Sequence, residues 1–180
     1  MKIIGIDPGL AATGYGIIQR NGNRITPLGW GVIRSGGESL PQRLVKIFDE
    51  VSVVFREHRP AVVAVEEIFT GRNPRTALKM GHARGVVLLA AAQGGYPVQE
   101  YSTATIKQSV VGHGRASKQQ VGYMVVKLLG LSGEELPEDA SDALAAALCC
   151  LLKVPPLCST PAKRGGGREG NQLPTEWGGN

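Results

Sequence analysis

Two short apolar runs constrain the fold of this chain more than any other feature. Residues 61–65 are apolar throughout, which predicts a strand buried on both faces, as the strands of parallel sheets are. Residues 2–6 form a second short, β-branched run that is closed by Asp7-Pro8-Gly9, a pattern that predicts a buried strand entering a turn. Buried strands of this kind belong in a sheet that helices cover, so we expect an α/β fold.

The rest of the chain adds an antiparallel edge to this sheet and several helices. Residues 14–20 and 23–34 flank Asn21-Gly22, a strong hairpin signal because both central residues tolerate positive φ. The domain is therefore predicted to open with an antiparallel meander, and residues 96–101 supply a last strand. Helical periodicity and capping residues predict helices over residues 39–58, 73–94, 117–130 and 138–152. The prediction is a mixed five-stranded sheet, an antiparallel meander followed by parallel strands, flanked by helices.

Length and composition predict one domain followed by a tail. The chain has 180 residues and a net charge of +5, which suit a single domain with a sizeable core. Residues 155–180 hold four Pro and six Gly and too few apolar residues to offset chain entropy. We therefore expect a folded domain over residues 1–154 and a disordered tail over 155–180. No apolar run approaches the roughly 20 residues that span a bilayer and no secretory segment is seen, so we expect a cytoplasmic protein without a membrane partner.

Carboxylates cluster at the predicted strand ends. Asp7 ends the first strand, Glu66 or Glu67 ends the fourth, and Asp139 and Asp142 share one face of the first turn of the last helix. Each has an ordinary explanation alone, as a turn residue, a solvated acid or a helix cap. Together, at the carboxyl edge of a sheet, they predict a site for one or two Mg²⁺ or Mn²⁺ ions, because unpaired carboxylates repel one another. Two such ions can stabilise the attacking and leaving oxygens of a phosphodiester.

Two groups of basic residues are candidates for binding phosphates. Lys107, Arg115 and Lys118 surround the loop over residues 112–114, whose glycines permit close approach of phosphate just before a helix begins. The alternative is a set of solvated side chains on an exposed turn.

A second candidate group combines an aromatic residue with arginines. Phe69 lies near Arg72 and Arg75, a combination that can stack on an unpaired base while the arginines hold phosphates. Burial in the core is the ordinary explanation for a lone Phe.

Five sequence blocks carry a close resemblance to a known family. They follow the family's order over about residues 3–150, and they are Ile4-Gly5-Ile6-Asp7-Pro8-Gly9, Val65-Glu66-Glu67-Ile68-Phe69, Ala77-Leu78-Lys79-Met80-Gly81, Lys107-Gln108-Ser109-Val110-Val111-Gly112 and Asp139-Ala140-Ser141-Asp142-Ala143-Leu144-Ala145. Together they resemble the RuvC family of bacterial Holliday junction resolvases. The resemblance implies an RNase H-like homodimer that nicks two strands of like polarity in four-way junction DNA, in recombination and DNA repair. It also implies 5′-phosphate and 3′-hydroxyl products, and RuvA and RuvB as partners.

The resemblance also implies roles for single residues. The four metal-binding acids of the family match Asp7, Glu66, Asp139 and Asp142, which selects Glu66 over Glu67, and two Mg²⁺ ions are implied, with Mn²⁺ as a substitute. Lys107 and Lys118 match catalytic lysines near the scissile phosphate. Phe69 matches an aromatic residue that enters the junction centre, and the helix with Ala77, Gly81 and Gly85 matches the dimer interface.

Two other functions fit the same residues. One is an RNase H-like nuclease that cuts structured RNA, and the other is a non-catalytic module that binds four-way junctions. A module without activity gains nothing from repulsive carboxylates that face DNA phosphates, so the acids argue against it.

Overall fold

The computed structural model describes residues 1–37, 39–67 and 74–153, with side chains of the second helix described from Ala77 onward. The predicted tail over residues 155–180 lies outside this part of the chain, so its disorder stays a prediction. In the described residues, no helix is both long enough and apolar enough to cross a membrane.

Five strands form one mixed sheet, as the sequence predicts. They are β1 (Lys2–Asp7), β2 (Ala12–Asn21), β3 (Arg24–Arg34), β4 (Val62–Glu66) and β5 (Val98–Tyr101). Their order in the sheet is β3-β2-β1-β4-β5. The first three strands pair antiparallel, whereas β4 pairs parallel with both β1 and β5. The chain reverses between β2 and β3 at Gly22, which has a φ of 60°, a conformation that glycine adopts without strain.

Helices cover both faces of this sheet. In the described residues they are α1 (Leu40–His58), α2 (Pro74–Gln93), α3 (Thr103–Val111), α4 (Lys118–Leu129) and α5 (Glu138–Lys153). Ile4 and Val63 pack on the face that carries α1 and α2. Ile3 and Ala64 pack on the opposite face, against α3, α4 and α5. The two-sided burial predicted for the central strands is therefore confirmed.

The helix α3 is absent from the sequence prediction. Its segment contains several β-branched residues, which have modest helix propensity. The helix forms because the Ser102 side chain accepts a hydrogen bond from the Thr105 amide and Gly112 ends the helix with a φ of 95°. Burial of Ile106 and Val110 in the core then stabilises it. Tertiary packing outweighs local preference in this segment.

Close contact with the sheet determines where α5 begins. A Cβ atom added at Gly5 would overlap the Ala143 carbonyl oxygen, and one at Gly14 would overlap the Asp139 carbonyl oxygen. Two glycines on adjacent strands therefore let the N-terminal half of α5 lie directly on β1 and β2. This packing brings the acidic end of α5 to the edge of the sheet where Asp7 ends β1.

Candidate active site

The parallel pairing of β1 and β4 brings two predicted acids to the same edge. Ile6 is paired with Val65, so Asp7 and Glu66 follow at equivalent positions where the two strands end. Asp139 and Asp142 come from α5, which begins at Glu138. Asp142 is the fifth residue of the helix and lies beyond the predicted first turn. Its spacing of three residues from Asp139 still places both on one side of the helix.

The charges of the four predicted acids influence one another. Burial and, to a smaller extent, the negative charges of Glu66, Asp142 and Asp139 together raise the pKa of Asp7 to about 7, against the opposing effect of the Lys118 cation. Burial also raises the pKa of Glu66 and the pKa of Asp142. The negative charge of Asp142 raises the pKa of Glu66 as well. A cluster of acids that resist ionisation has a strong electrostatic preference for cations.

A cavity of about 250 Å³ lies beside these acids. Its lining includes Glu66 and Asp142 together with both predicted lysines, Lys107 and Lys118, and the hydroxyl-bearing Thr103. Ile106, Val121 and Ala145 supply its apolar wall. The structure therefore places carboxylates and amines around one space that a phosphate group could enter. Asp7 and Asp139 are linked to this cavity through the charge interactions described above rather than through its lining.

Lys118, the first residue of α4, forms ion pairs with two carboxylates of α5. Its Nζ atom lies 2.5 Å from Glu138 Oε1 and 2.9 Å from Asp142 Oδ2. Burial lowers the pKa of Lys118, but the hydrogen bonds to Glu138 and Asp142 outweigh this effect and hold its pKa above the usual range. The preceding residue, Ser117, forms the predicted capping box with Gln120. The two acids thus offset the unfavourable position of a lysine at a helix N-terminus.

The donor set fits a divalent cation of the Mg²⁺ type. All four side chains offer carboxylate oxygens, which Mg²⁺ and Mn²⁺ prefer, and their mutual repulsion is the kind that a cation relieves. In the part of the chain that the structure describes, no three acidic, histidine or cysteine side chains lie close enough to form a complete metal-binding group. Asp142 instead forms an ion pair with Lys118. Cation binding therefore requires some rearrangement of these side chains.

The other predicted binding residues have different outcomes. Lys107 lines the cavity, and its charge lowers the pKa of Glu66 against the effect of burial. Arg115 is exposed on the turn before α4 and is not part of the cavity lining. Phe69 and Arg72, and the side chain of Arg75, lie outside the described residues, so their DNA-binding role stays a prediction.

Sequence reasoning missed two residues of this site, Thr103 and Glu138. Thr103 donates a hydrogen bond of 2.5 Å to Glu66 Oε1, and Glu138 binds Lys118. The Ser102 cap could have indicated the helix that carries Thr103. Nothing local indicated that Glu138 would meet Lys118, which lies 20 residues earlier in the chain.

The mixed sheet and the acids at the ends of β1, β4 and the start of α5 define a class of protein, the RNase H-like nucleases. Within that class, the family model for crossover junction endodeoxyribonuclease RuvC matches residues 3–150. The chain belongs to this family, and the resemblance predicted from its sequence blocks is confirmed.

Individual relatives agree with this assignment. The chain is 49% identical over 150 residues to a crossover junction endodeoxyribonuclease RuvC of Desulfitobacterium hafniense, which covers 83% of this chain and 91% of the relative. The chain is 50% identical over 151 residues to a crossover junction endodeoxyribonuclease RuvC of Heliobacterium modesticaldum, and the match covers 83% of this chain and 93% of the relative.

Solved structures support the same family. Thermus thermophilus RuvC in complex with Holliday junction substrate has a TM-score of 0.79 and 38% identity, covering 84% of this chain and 93% of that one. A Thermus thermophilus RuvC structure has a TM-score of 0.78 at the same identity, covering 84% and 94%. The yeast mitochondrial Holliday junction resolvase Ydc2 is 17% identical with a TM-score of 0.57, covering 83% and 78%, and shares the fold.

Proposed function

We propose that this protein resolves Holliday junctions by paired, metal-dependent nicks in two strands of like polarity, leaving 5′-phosphate and 3′-hydroxyl ends. The observation that carries the proposal is the cavity in which Glu66 and Asp142 face Lys107 and Lys118. Acids that hold cations and amines that contact the phosphate can together stabilise the charge that develops in phosphodiester hydrolysis. Membership of a family of crossover junction endonucleases supports DNA as the substrate.

The acids Asp7, Glu66, Asp139 and Asp142 would hold the metal. Two Mg²⁺ ions per site are proposed, replaceable by Mn²⁺, and their chemistry is to stabilise charge on the attacking and leaving oxygens of the phosphodiester. The raised pKa values of Asp7, Glu66 and Asp142 support this assignment, because burial and the neighbouring acids both disfavour ionisation without a counter-charge.

The lysines would hold the substrate. Lys107 and Lys118 are proposed to bind the scissile phosphate and to neutralise the charge that develops on it. Lys118 then has to exchange Asp142 and Glu138 for a phosphate oxygen. This exchange is feasible because the side chain of Lys118 is about half exposed and ion pairs of that kind are weak. Further from the scissile bond, DNA contacts are proposed for Phe69, Arg72, Arg75 and Arg115.

A homodimer is proposed around α2. Leu78 and Leu89 on this helix are 64% and 51% exposed. A Cβ atom added at Gly81 or Gly85 would meet no described atom within 4 Å outside its own turn of helix, so packing against the described residues does not explain these glycines. A second copy that covers α2 accounts for both observations, and an isologous dimer presents two equivalent sites to a nearly two-fold junction.

The wider assignments follow from the family. We propose a nuclease domain over residues 1–154 and a dispensable tail over 155–180. RuvA and RuvB are the proposed partners in recombination and DNA repair, and the cytoplasm is the proposed location of a protein that acts on the chromosome.

Cleavage of a synthetic four-way junction, with and without Mg²⁺, tests this function. The unaltered protein should nick opposite strands only with the metal, and Asp7→Asn should bind the junction while its cleavage rate falls by at least about 100-fold. Glu67→Gln is the matched control, because the Glu67 side chain is exposed. The Glu67 backbone N–H donates to the Tyr101 carbonyl oxygen and is unchanged by the substitution. Full cleavage by Asp7→Asn would refute the proposal that these acids hold the metal. Preferred cleavage of a structured RNA would favour the RNA nuclease, and failure of the unaltered protein to bind Mn²⁺ in calorimetry would favour a non-catalytic module.

A further inference from the structure

Glu66 is held by a hydroxyl group that the predicted acid and lysine motif does not include. Thr103 donates to Glu66 Oε1 over 2.5 Å, the short distance typical of a hydrogen bond to a carboxylate. Thr103 also lines the cavity in which Glu66, Asp142 and the two lysines meet. The contact therefore lies inside the site rather than behind it.

The backbone on both sides of this contact is well supported. The parallel register of β4 and β5 places Glu66 beside Tyr101, and the Glu67 amide donates to the Tyr101 carbonyl oxygen over 2.9 Å. Ser102 then caps α3, so Thr103 occupies the first helical position. The hydroxyl therefore lies two residues beyond the strand β5 that is hydrogen-bonded to β4, where Glu66 lies. What the contact restrains is the Glu66 side chain, which has several rotatable bonds.

The Thr103 hydroxyl is not needed to begin the helix. The capping role belongs to Ser102, whose Oγ atom accepts from the Thr105 amide over 3.2 Å. Thr103 is also exposed, so its methyl group contributes little to the core. A structural role in α3 therefore does not account for the hydroxyl, whereas its direction towards Glu66 does.

We propose that Thr103 is a positioning residue for Glu66, which it holds in the orientation that receives the divalent cation. This inference rests on the proposed function, because it concerns how one of the four acids meets the metal. Partners that orient metal ligands typically contribute about 10- to 100-fold to metal affinity. The exposure of Thr103 places the expected effect at the lower end of that range.

Mn²⁺ titration calorimetry on the full chain tests the proposal directly. Thr103→Val keeps the shape of the side chain and removes the hydroxyl, and should weaken Mn²⁺ binding on the order of 10-fold. Thr103→Ser keeps the hydroxyl and should bind within about twofold of the unaltered protein. Thr105→Val is the matched control, since it removes a hydroxyl two residues away that contacts Ser102 instead of Glu66. It should leave Mn²⁺ binding unchanged.

Two further measurements separate positioning from a general structural effect. Melting temperatures in EDTA should be the same for the unaltered protein and Thr103→Val, and the Mn²⁺ concentration for half-maximal junction cleavage should rise with the calorimetric loss. At saturating Mn²⁺ the cleavage rate should recover.

Unchanged Mn²⁺ affinity in Thr103→Val, or equal weakening in Thr103→Ser, would overturn the role of Thr103 while the proposed function stands. No Mn²⁺ binding by the unaltered protein would overturn both. The two failures are therefore distinguishable.

Discussion

Removal of the Asp7 charge should stabilise the protein when chelator is present. Burial and the charges of Glu66, Asp142 and Asp139 raise the pKa of Asp7 from 3.8 to about 7. The folded state therefore binds this proton more tightly than the unfolded state, so the carboxyl group costs nothing below pH 4 and destabilises the fold increasingly as the pH rises to 7. Since one pKa unit corresponds to 1.36 kcal/mol, the full cost above pH 7 is about 4 kcal/mol.

The variant Asp7→Asn carries no charge to bury. In EDTA at pH 8 its free energy of unfolding should therefore exceed that of the unaltered protein by up to about 4 kcal/mol, and at pH 5 by less than half of that amount. Urea denaturation followed by circular dichroism at both pH values measures the difference. Glu67→Gln, at an exposed position, should change the unfolding free energy by less than about 0.5 kcal/mol at either pH.

Addition of Mn²⁺ should reverse this order. A cation that binds the folded state stabilises it by mass action, so the unaltered protein should gain stability while Asp7→Asn gains much less. If Asp7→Asn were no more stable than the unaltered protein at pH 8 in EDTA, the conclusion that Asp7 is buried among like charges would be wrong.

Three further predictions concern other parts of the molecule. Lys118→Met should lower junction cleavage by about 100-fold but change the unfolding free energy by less than about 1 kcal/mol, because the Lys118 side chain is about half exposed and ion pairs of such side chains contribute little; a fall of several kcal/mol in the unfolding free energy would contradict this. Gly5→Ala should destabilise the fold by about 3 kcal/mol in urea, since its Cβ meets the Ala143 carbonyl of α5, whereas Gly36→Ala, in open space, serves as the neutral control. Deletion of residues 155–180 should leave junction cleavage by the isolated nuclease nearly unchanged, and a large loss of cleavage would show that the tail contributes to the site.

Local patterns predicted most of the secondary structure but failed at α3. Hairpin, capping and apolar signals extend over a few neighbouring residues, so β2, β3 and α4 could be predicted from them. The α3 segment carries helix signals only at its ends, at Ser102 and Gly112, and owes the rest to the burial of Ile106 and Val110. Such burial depends on residues far along the chain, and two apolar residues four positions apart are too short a pattern to predict a helix by themselves.

The choice between Glu66 and Glu67 also lay beyond what a local sequence pattern can decide. Both follow the same apolar strand, so the local pattern left the choice open and only the family resemblance selected Glu66. In the structure, Glu66 is the last paired residue of β4 and accepts a hydrogen bond from Thr103, whereas the Glu67 side chain is exposed.

The sequence by itself determined that carboxylates would end two buried strands and begin the last helix, because strand ends and caps are local features. Only the tertiary structure decided which groups these acids meet. The glycines of β1 and β2 admit α5 to the sheet, Lys118 reaches Glu138 and Asp142, and Thr103 reaches Glu66 across 37 residues of chain. Contacts of this kind depend on how elements pack, and packing is set by shape and burial over the whole domain rather than by any short segment.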